Sequence, residues 1–148
     1  MKHASGTVAT MGDWKIRPAR PGDGAGLAEW LDGDLADSGG SWICFVAEEG
    51  GRIVGQVEAR LVQPMESARY QVITALGQVR GEVNSLGVLK SHRRRGIGRA
   101  LMEHAERWLA DRGASMIGLD TLATSPESVP FYESIGYEPR SIIFERKL

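Results

Sequence analysis

Residues 82–101 read EVNSLGVLKSHRRRGIGRAL, and this stretch decides the fold class of the 148-residue chain. Its first part, residues 82–89, has the aliphatic and β-branched pattern of a strand. From Ile97 onward, apolar residues recur at helical spacing until Gly113, which predicts a helix. Between them lies a turn with two glycines, Gly96 and Gly98, and several arginines. Because the first amides of a helix lack intrahelical partners and carry partial positive charge, this turn is predicted to bind an anion.

The hydrophobic pattern outside this stretch alternates between strands and helices. Strands are predicted at residues 14–17, 42–47, 53–62, 116–121 and 141–145, with a β-hairpin joining the second and third. Helices are predicted from Asp23, as N-cap, to Gly39, over residues 65–76, and from Ser128, as cap, to Gly136. The order β-α-β-β-(α)-β-α-β-α-β predicts one α/β domain over residues 14–148, after a flexible tail over residues 1–13.

Composition excludes several protein classes. Hydrophobic residues make up 42% and charged residues 25% of the chain, which is typical of a globular domain and too apolar for a disordered one. The single cysteine, Cys44, cannot form an internal disulfide, and it is expected to be a small buried residue rather than a nucleophile. No cluster with metal-ligand spacing is present, so no metal is expected.

Charge and the N-terminal pattern bear on partners and location. The net charge of −1 argues against general nucleic-acid binding. Residues 90–99 nevertheless hold five cations and no acid, which indicates one local anion site. Residues 1–13 contain no apolar run, so neither a signal peptide nor a membrane segment is expected, and the predicted compartment is the cytoplasm.

Nucleotide-binding folds fit the turn poorly. Asp120 follows the glycine turn at about the sequence separation at which dinucleotide-binding folds place an acid that binds a ribose hydroxyl. The third glycine of the dinucleotide-binding motif, however, is replaced by Leu101. The P-loop pattern is absent. The hypothesis of a nucleotide-binding regulator therefore has the least support from the sequence.

Three linked motifs resemble the GNAT superfamily of acetyl-CoA-dependent N-acetyltransferases. The run RRRGIGRAL at residues 93–101 is similar to the family signature Arg/Gln-x-x-Gly-x-Gly/Ala. SLGV at residues 85–88 is similar to the strand before the signature, and VPFYESIGY at residues 129–137 is similar to a late family element. The resemblance covers residues 14–148 in element order and is specific over roughly residues 82–137. It implies a mixed, mostly antiparallel sheet that splays between strands four and five and is flanked by helices.

The resemblance also implies how acetyl-CoA is bound. The amides of residues 95–99 would hold the pyrophosphate, while backbone groups of Leu86 and Val88 would pair with the extended pantetheine arm. Gly87 suits either a β-bulge or a simple close approach. Ser125 stands where many family members have an asparagine, which puts that cofactor contact in doubt. The implied cofactor-binding set is Leu86, Gly87, Val88, Arg93, Arg94, Arg95, Gly96, Ile97, Gly98, Arg99, Ser125 and Phe131.

Acyl transfer to an amine needs a base for the amine and an acid for the departing thiolate. Tyr132 matches the family tyrosine near the sulfur and is the candidate acid, with a core packing role as its alternative. Glu82, on the strand before the signature, is the candidate base, with an exposed structural carboxylate as its alternative. Asn84, Glu58 and His92 are further candidates.

The function these features predict is direct transfer of an acetyl group from acetyl-CoA to a primary amine of a small molecule or peptide. The alternative is a non-catalytic acyl-CoA-binding module that shares the glycine turn. No nucleic acid or membrane partner is expected. The acceptor amine and the choice between monomer and homodimer stay open.

Overall fold

The computed structural model describes residues 13–23, 40–64 and 77–148. Five strands form one sheet in the order β1-β2-β3-β4-β5. The strands are β1 Lys15–Pro18, β2 Trp42–Glu49, β3 Arg52–Val62, β4 Arg80–Val88 and β5 Ile117–Leu119. A 3₁₀ turn, Lys90–His92, follows β4, and two helices are described, α1 Ile97–Asp111 and α2 Ser128–Ser134. The predicted helices before Gly39 and at residues 65–76, and the predicted tail except Asp13, lie outside the described residues.

The sheet is antiparallel except at one edge. β1 to β4 pair antiparallel in chain order, whereas β4 and β5 pair parallel from Gly81 opposite Ile117 to Val83 opposite Leu119. β4 then continues to Val88 without β5 beside it. This confirms the predicted mixed sheet and its opening between the fourth and fifth strands.

Helix α1 packs against one face of the sheet and supplies five of the thirteen buried hydrophobic residues in the described part of the core. Ile97, Leu101, Met102, Ala105 and Leu109 are almost fully buried along one side of the helix. The apolar positions fall every three or four residues, so the predicted helix is confirmed. The helix lies close to the sheet because two strand residues that face it, Gly55 on β3 and Gly81 on β4, have no side chain. A Cβ at Gly81 would lie 2.6 Å from Leu109 Cδ1.

The last predicted strand is wrong. Residues 141–145 adopt neither strand nor helix, and Ile142, Ile143 and Phe144 are 79%, 78% and 90% exposed. The pattern is right for a strand, but a strand also needs a hydrogen-bonding partner, and this segment pairs with none of the described strands. No described helix is long and apolar enough to cross a bilayer.

The cap of α2 also differs from the prediction. Glu127 occupies the N-cap position and makes no side-chain cap bond. Ser128 instead donates its N–H to Ser125 Oγ at 3.2 Å, and Ser125 Oγ donates to Ser128 Oγ at 2.8 Å. The hydroxyl that accepts from the first helical N–H therefore comes from Ser125, three residues earlier, and Ser128 is the first residue of the helix rather than its cap.

Candidate active site

The turn between β4 and α1 has an unusual backbone. Arg94 has φ +63° and Gly96 has φ +82°, both in the left-handed region. Left-handed residues within such a turn point successive amides into one concavity. Helix α1 begins at Ile97 with no side-chain cap and no acidic residue in its first turn. The first amides of α1 therefore have no side-chain cap, which is the arrangement expected of an anion site at a helix N-terminus.

Three predicted cofactor-binding residues meet at this turn. A Cβ placed on Gly98 would lie 3.4 Å from the Phe131 ring and 3.8 Å from Val88 Cγ2. These residues come from α1, α2 and β4, so the signature, the late motif and the strand motif converge in space. Gly98 keeps the space beside the first helical turn open between the two flanking elements.

Most arginine side chains of the turn bind protein groups. Arg93 donates from Nε to the Val88 carbonyl at 3.1 Å and from a terminal nitrogen to Glu127 at 3.0 Å. Arg95 binds Glu49 with its two terminal nitrogens at 2.5 and 3.3 Å, and Arg99 reaches the Ser134 carbonyl at 3.4 Å. Arg94 has no side-chain partner among the described residues. The amides and Arg94 are therefore the groups most available to a new anion.

Glu49 is the acidic neighbour that sequence reasoning missed. It ends β2 and accepts from Arg95 and, at 2.8 Å on Oε2, from His92 Nε2. Its hydrogen bond from Arg95 lowers the pKa of Glu49, and the same bond raises the pKa of Arg95. Glu49 lies 46 residues before Arg95, and no sequence pattern joins them. His92, one of the further candidates named from the sequence, is thus held by a carboxylate beside the turn.

The opening beside β4 has the predicted position. Leu86 and Val88 lie on the part of β4 that continues past β5 and are half-buried. In this structure the Val88 carbonyl accepts from Arg93, so this side chain occupies one end of the opening. The irregularity of β4 falls at Asn84, opposite the step from Glu58 to Ala59, whereas Gly87 pairs regularly with Gln56. A bulge at Gly87 is therefore wrong, since the strand is displaced three residues earlier.

Tyr132 combines partial burial with an unbonded hydroxyl. Its ring packs edge-on against Phe131 at 5.1 Å and Tyr137 at 5.9 Å between centroids. Burial raises the pKa of Tyr132, so the phenol is protonated at neutral pH. Within the described part of the chain its hydroxyl has no hydrogen-bond partner. The group can donate a proton or a hydrogen bond to a ligand placed nearby.

Two carboxylates lie on the sheet face opposite α1, since strand neighbours alternate between faces. Glu82 on β4 accepts from Arg60 at 2.9 and 2.6 Å, and both contacts fall on Oε2. Glu58 on β3 accepts from Trp42 Nε1 at 2.6 Å and from Asn84 at 3.2 Å. The candidate bases Glu82 and Glu58 therefore lie on the same face of the sheet. Their hydrogen-bond partners Arg60 and Trp42 were not predicted from the sequence.

Two other features, Cys44 and a cavity between α1 and α2, are poor candidates for a functional site. Cys44 is 2% exposed, and burial raises the pKa of its thiol to about 12, which confirms the predicted buried role. A cavity of about 250 Å³ lies between α1 and α2, and Glu103 and Glu106 line it against a single cation, Arg99, so its lining carries a net negative charge and suits phosphate poorly. Among the described residues, no group of three or more histidine, cysteine or acidic side chains could hold a metal ion.

Comparison with known proteins places these features in a family. The family model for the acetyltransferase (GNAT) family matches residues 10–137. The chain belongs to this family. Among curated relatives, a probable N-acetyltransferase family 8 member 5 of Mus musculus is 28% identical over 117 residues, covering 76% of this chain and 48% of the relative. N-acetyltransferase 8 of Rattus norvegicus is 33% identical over 112 residues, covering 76% and 46%. The chain spans about half the length of these relatives.

Solved structures show the same fold at low sequence identity. A transcriptional regulator from Bacillus halodurans has a TM-score of 0.72 at 21% identity, covering 91% of this chain and 99% of that one. An aminoglycoside N-acetyltransferase in complex with CoA has a TM-score of 0.67 at 20% identity, covering 90% and 99%. These similarities confirm the GNAT fold predicted from the three motifs.

Proposed function

We propose that this GNAT-family protein transfers the acetyl group of acetyl-CoA directly to a primary amine. The observation that carries the proposal is the uncapped, partly left-handed turn at the N-terminus of α1, next to the opening between β4 and β5. Family membership supports it, as do the relatives named N-acetyltransferases and a similar fold that holds CoA in another protein.

The cofactor is proposed to bind along this turn and opening. The amides of residues 95–99 would receive the pyrophosphate, with Arg94 adding charge from its exposed side chain. The pantetheine amides would pair with backbone groups of Leu86 and Val88, which lie past the last pair of β4 with β5, Val83 opposite Leu119. For this to happen, Arg93 must release the Val88 carbonyl, which it now holds at 3.1 Å. Ser125 would contribute less, since its hydroxyl already binds Ser128.

The chemistry is assigned to two titratable groups, Tyr132 on α2 and Glu82 on β4, the latter in the part of β4 that pairs with β5. A deprotonated amine attacks the thioester carbonyl carbon, its N–H proton passes to a base, and the C–S bond breaks. Tyr132 is proposed to give its phenolic proton to the departing thiolate. Glu82 is proposed as the base, directly or through water, with Glu58 as the neighbouring alternative. The acceptor, the cytoplasmic location and the single-domain organisation of residues 14–148 stay predictions.

A thermal-melt comparison tests cofactor choice. Acetyl-CoA at a hundred times its dissociation constant should stabilise the fold by about 2.7 kcal/mol, because it binds only the native state. NAD and ATP at the same concentration should not. A melt that millimolar acetyl-CoA leaves unchanged would remove the cofactor assignment.

Thiol release over a panel of polyamines, aminoglycosides, amino acids and peptides then separates an enzyme from a binding module. Acetyl-CoA binding without release for any amine would favour the non-catalytic alternative. Once an acceptor is found, Glu82→Gln should lose turnover at neutral pH and recover as pH approaches the pKa of the amine. Glu58→Gln is the matched control. A loss that appears in this control instead would move the base to Glu58.

A further inference from the structure

The carboxylate of Glu49 joins the β2–β3 hairpin to the turn before α1. Glu49 is the last residue of β2 and pairs with Arg52, and the chain reverses between them through Gly50 and Gly51, with φ +57° and +78°. Two left-handed residues between antiparallel strands form a tight turn whose twist matches that of the strands. Glu49 is therefore carried by a short, regular hairpin end.

Both oxygens of this carboxylate contact the segment that follows β4. Oε1 accepts from Arg95 at 2.5 Å and Oε2 at 3.3 Å, and Oε2 also contacts His92 Nε2 at 2.8 Å. An ionised carboxylate can only accept, so Nε2 of His92 carries a hydrogen, while Nδ1 lies 2.8 Å from Ser91 Oγ. One side chain therefore holds this segment at two points, residues 92 and 95.

The contact between Glu49 and Arg95 is better shielded than the other ion pair of the turn. The side chains of Glu49 and Arg95 are 23% and 35% exposed, whereas those of Glu127 and Arg93 are 73% and 47% exposed. Water and salt screen exposed pairs of long side chains, while a forked contact between arginine and carboxylate fixes geometry. Of the two carboxylates, Glu49 is therefore the one able to define the path of the turn.

The turn needs such support because of its backbone conformation. Arg94, a non-glycine residue, has φ +63°, and Gly96 has φ +82°. The left-handed region is unfavourable for a residue with a side chain, so it persists only where the surroundings hold it. His92 and Arg95 lie on either side of Arg94 in the chain, and both are held by Glu49. These contacts therefore support the conformation that points successive amides into one concavity.

We propose that Glu49 is a positioning residue for acetyl-CoA, which acts through Arg95 and His92 to hold the turn in the conformation that binds the pyrophosphate. The inference rests on the proposed function, since it needs the turn to bind the cofactor. It also separates two arginines of the signature, because the Arg95 side chain serves Glu49 and the Arg94 side chain is left for phosphate. Glu49 itself contacts no reacting atom, so it should affect cofactor affinity rather than the chemical step.

Charge without positioning predicts the opposite effect. A carboxylate that acted only by its charge would repel phosphate and neutralise Arg95, so its removal would strengthen CoA binding. Positioning predicts that removal weakens binding, because a turn released from Glu49 must be ordered again when the cofactor binds. Neutral variants of the two partners, singly and together, distinguish these effects.

The test is calorimetric titration of the full 148-residue chain with CoA, for the wild type, Glu49→Gln, Arg95→Gln and the double variant. Positioning predicts that each single variant raises the dissociation constant about 5-fold, the loss expected of one partly shielded ion pair. The double variant should match Glu49→Gln, because the contact to Arg95 is already lost there. Charge alone predicts a lower constant for Glu49→Gln, a higher one for Arg95→Gln and the wild-type value for the double variant.

Kinetics separate positioning from a general loss of structure. In thiol release, with the acceptor that the amine panel identifies, Glu49→Gln should raise the KM for acetyl-CoA by the same factor and leave kcat within about 2-fold. Glu48→Gln is the matched control, because this adjacent carboxylate binds Arg17 and Lys15 on β1. It should lower the unfolding temperature without changing CoA binding. Circular dichroism and thermal melts establish that each variant folds.

Unchanged or tighter CoA binding by Glu49→Gln would overturn the inference and leave the proposed function intact. The same holds for a double variant that binds CoA like the wild type, for an equal loss of binding in Glu48→Gln, and for a fall in kcat at unchanged KM. A wild-type chain that binds no CoA would refute the proposed function and this inference with it.

Discussion

Replacing Tyr132 by phenylalanine separates the proposed acid from a packing tyrosine. The substitution keeps the ring that packs against Phe131 and Tyr137 and removes only the hydroxyl. That hydroxyl has no partner among the described residues, so no internal hydrogen bond is lost. The free energy of unfolding should change by less than about 0.5 kcal/mol. Acetyl-CoA affinity should also be nearly unchanged.

Turnover is the quantity that should fall. General acid catalysis supplies a factor of about 10²–10⁴, and we expect about 100-fold here because a thiolate leaves readily without full protonation. That loss corresponds to about 2.7 kcal/mol in the activation barrier. Because burial raises the pKa of Tyr132 above 10, the phenol keeps its proton through the neutral and mildly alkaline range. The ratio of wild-type to variant turnover should therefore stay constant across that range.

Tyr137→Phe is the matched control, with the opposite signature. Its hydroxyl donates to Glu106 Oε1 at 2.9 Å, and a hydrogen bond to a charged group contributes about 1.5–3 kcal/mol to stability. For a chain of this length the unfolding temperature should fall by roughly 3–12 °C, with turnover kept in the folded enzyme. The assays are thiol release, calorimetric titration with CoA, and thermal unfolding. Wild-type turnover in Tyr132→Phe would refute the acid role and leave the residue as core packing.

The remaining predictions concern the turn before α1, the contact between Gly81 and Leu109, and the dependence of the free energy of unfolding on acidic pH. Gly98→Asp should abolish acetyl-CoA binding in calorimetry with the fold kept, while Gly98→Ala, whose methyl would lie 3.4 Å from the Phe131 ring and 3.8 Å from Val88 Cγ2, should retain it. Gly81→Ala should cost about 1–3 kcal/mol in denaturant unfolding because its Cβ would lie 2.6 Å from the buried Leu109; an unchanged midpoint would mean that this leucine moves freely. The hydrogen bond from Arg17 lowers the pKa of Asp23 below 3.8, so this carboxylate stabilises the fold above that pH and loses its effect as pH falls through the folded-state pKa. Asp23→Asn should therefore lower the free energy of unfolding at neutral pH, and its difference from wild type should shrink below about pH 4.

The glycine positions show how far a motif can be interpreted before a structure is known. Both Gly96 and Gly98 belong to the signature, and either could be chosen to block a phosphate. The structure separates them, because Gly96 has φ +82° and Gly98 lies within the helix. A side chain at Gly96 strains the backbone whatever the ligand does, so only Gly98 gives a clean test.

The sequence by itself determined the elements whose cause is local. The periodicity of α1, the alternation of the hairpin strands and the glycine turn depend on residues within a few positions of one another, so these elements were predictable, whereas the mixed sheet was implied by the resemblance to the GNAT superfamily. Tertiary structure alone decided which acids face the arginines: Glu49 and Glu127 reach Arg95 and Arg93 across 46 and 34 residues. It also left residues 141–145 unpaired, although their pattern is that of a strand. The physical reason is the same in each case, since a charge or a strand edge is satisfied by whatever the fold brings beside it, and that neighbour is set by the path of the whole chain.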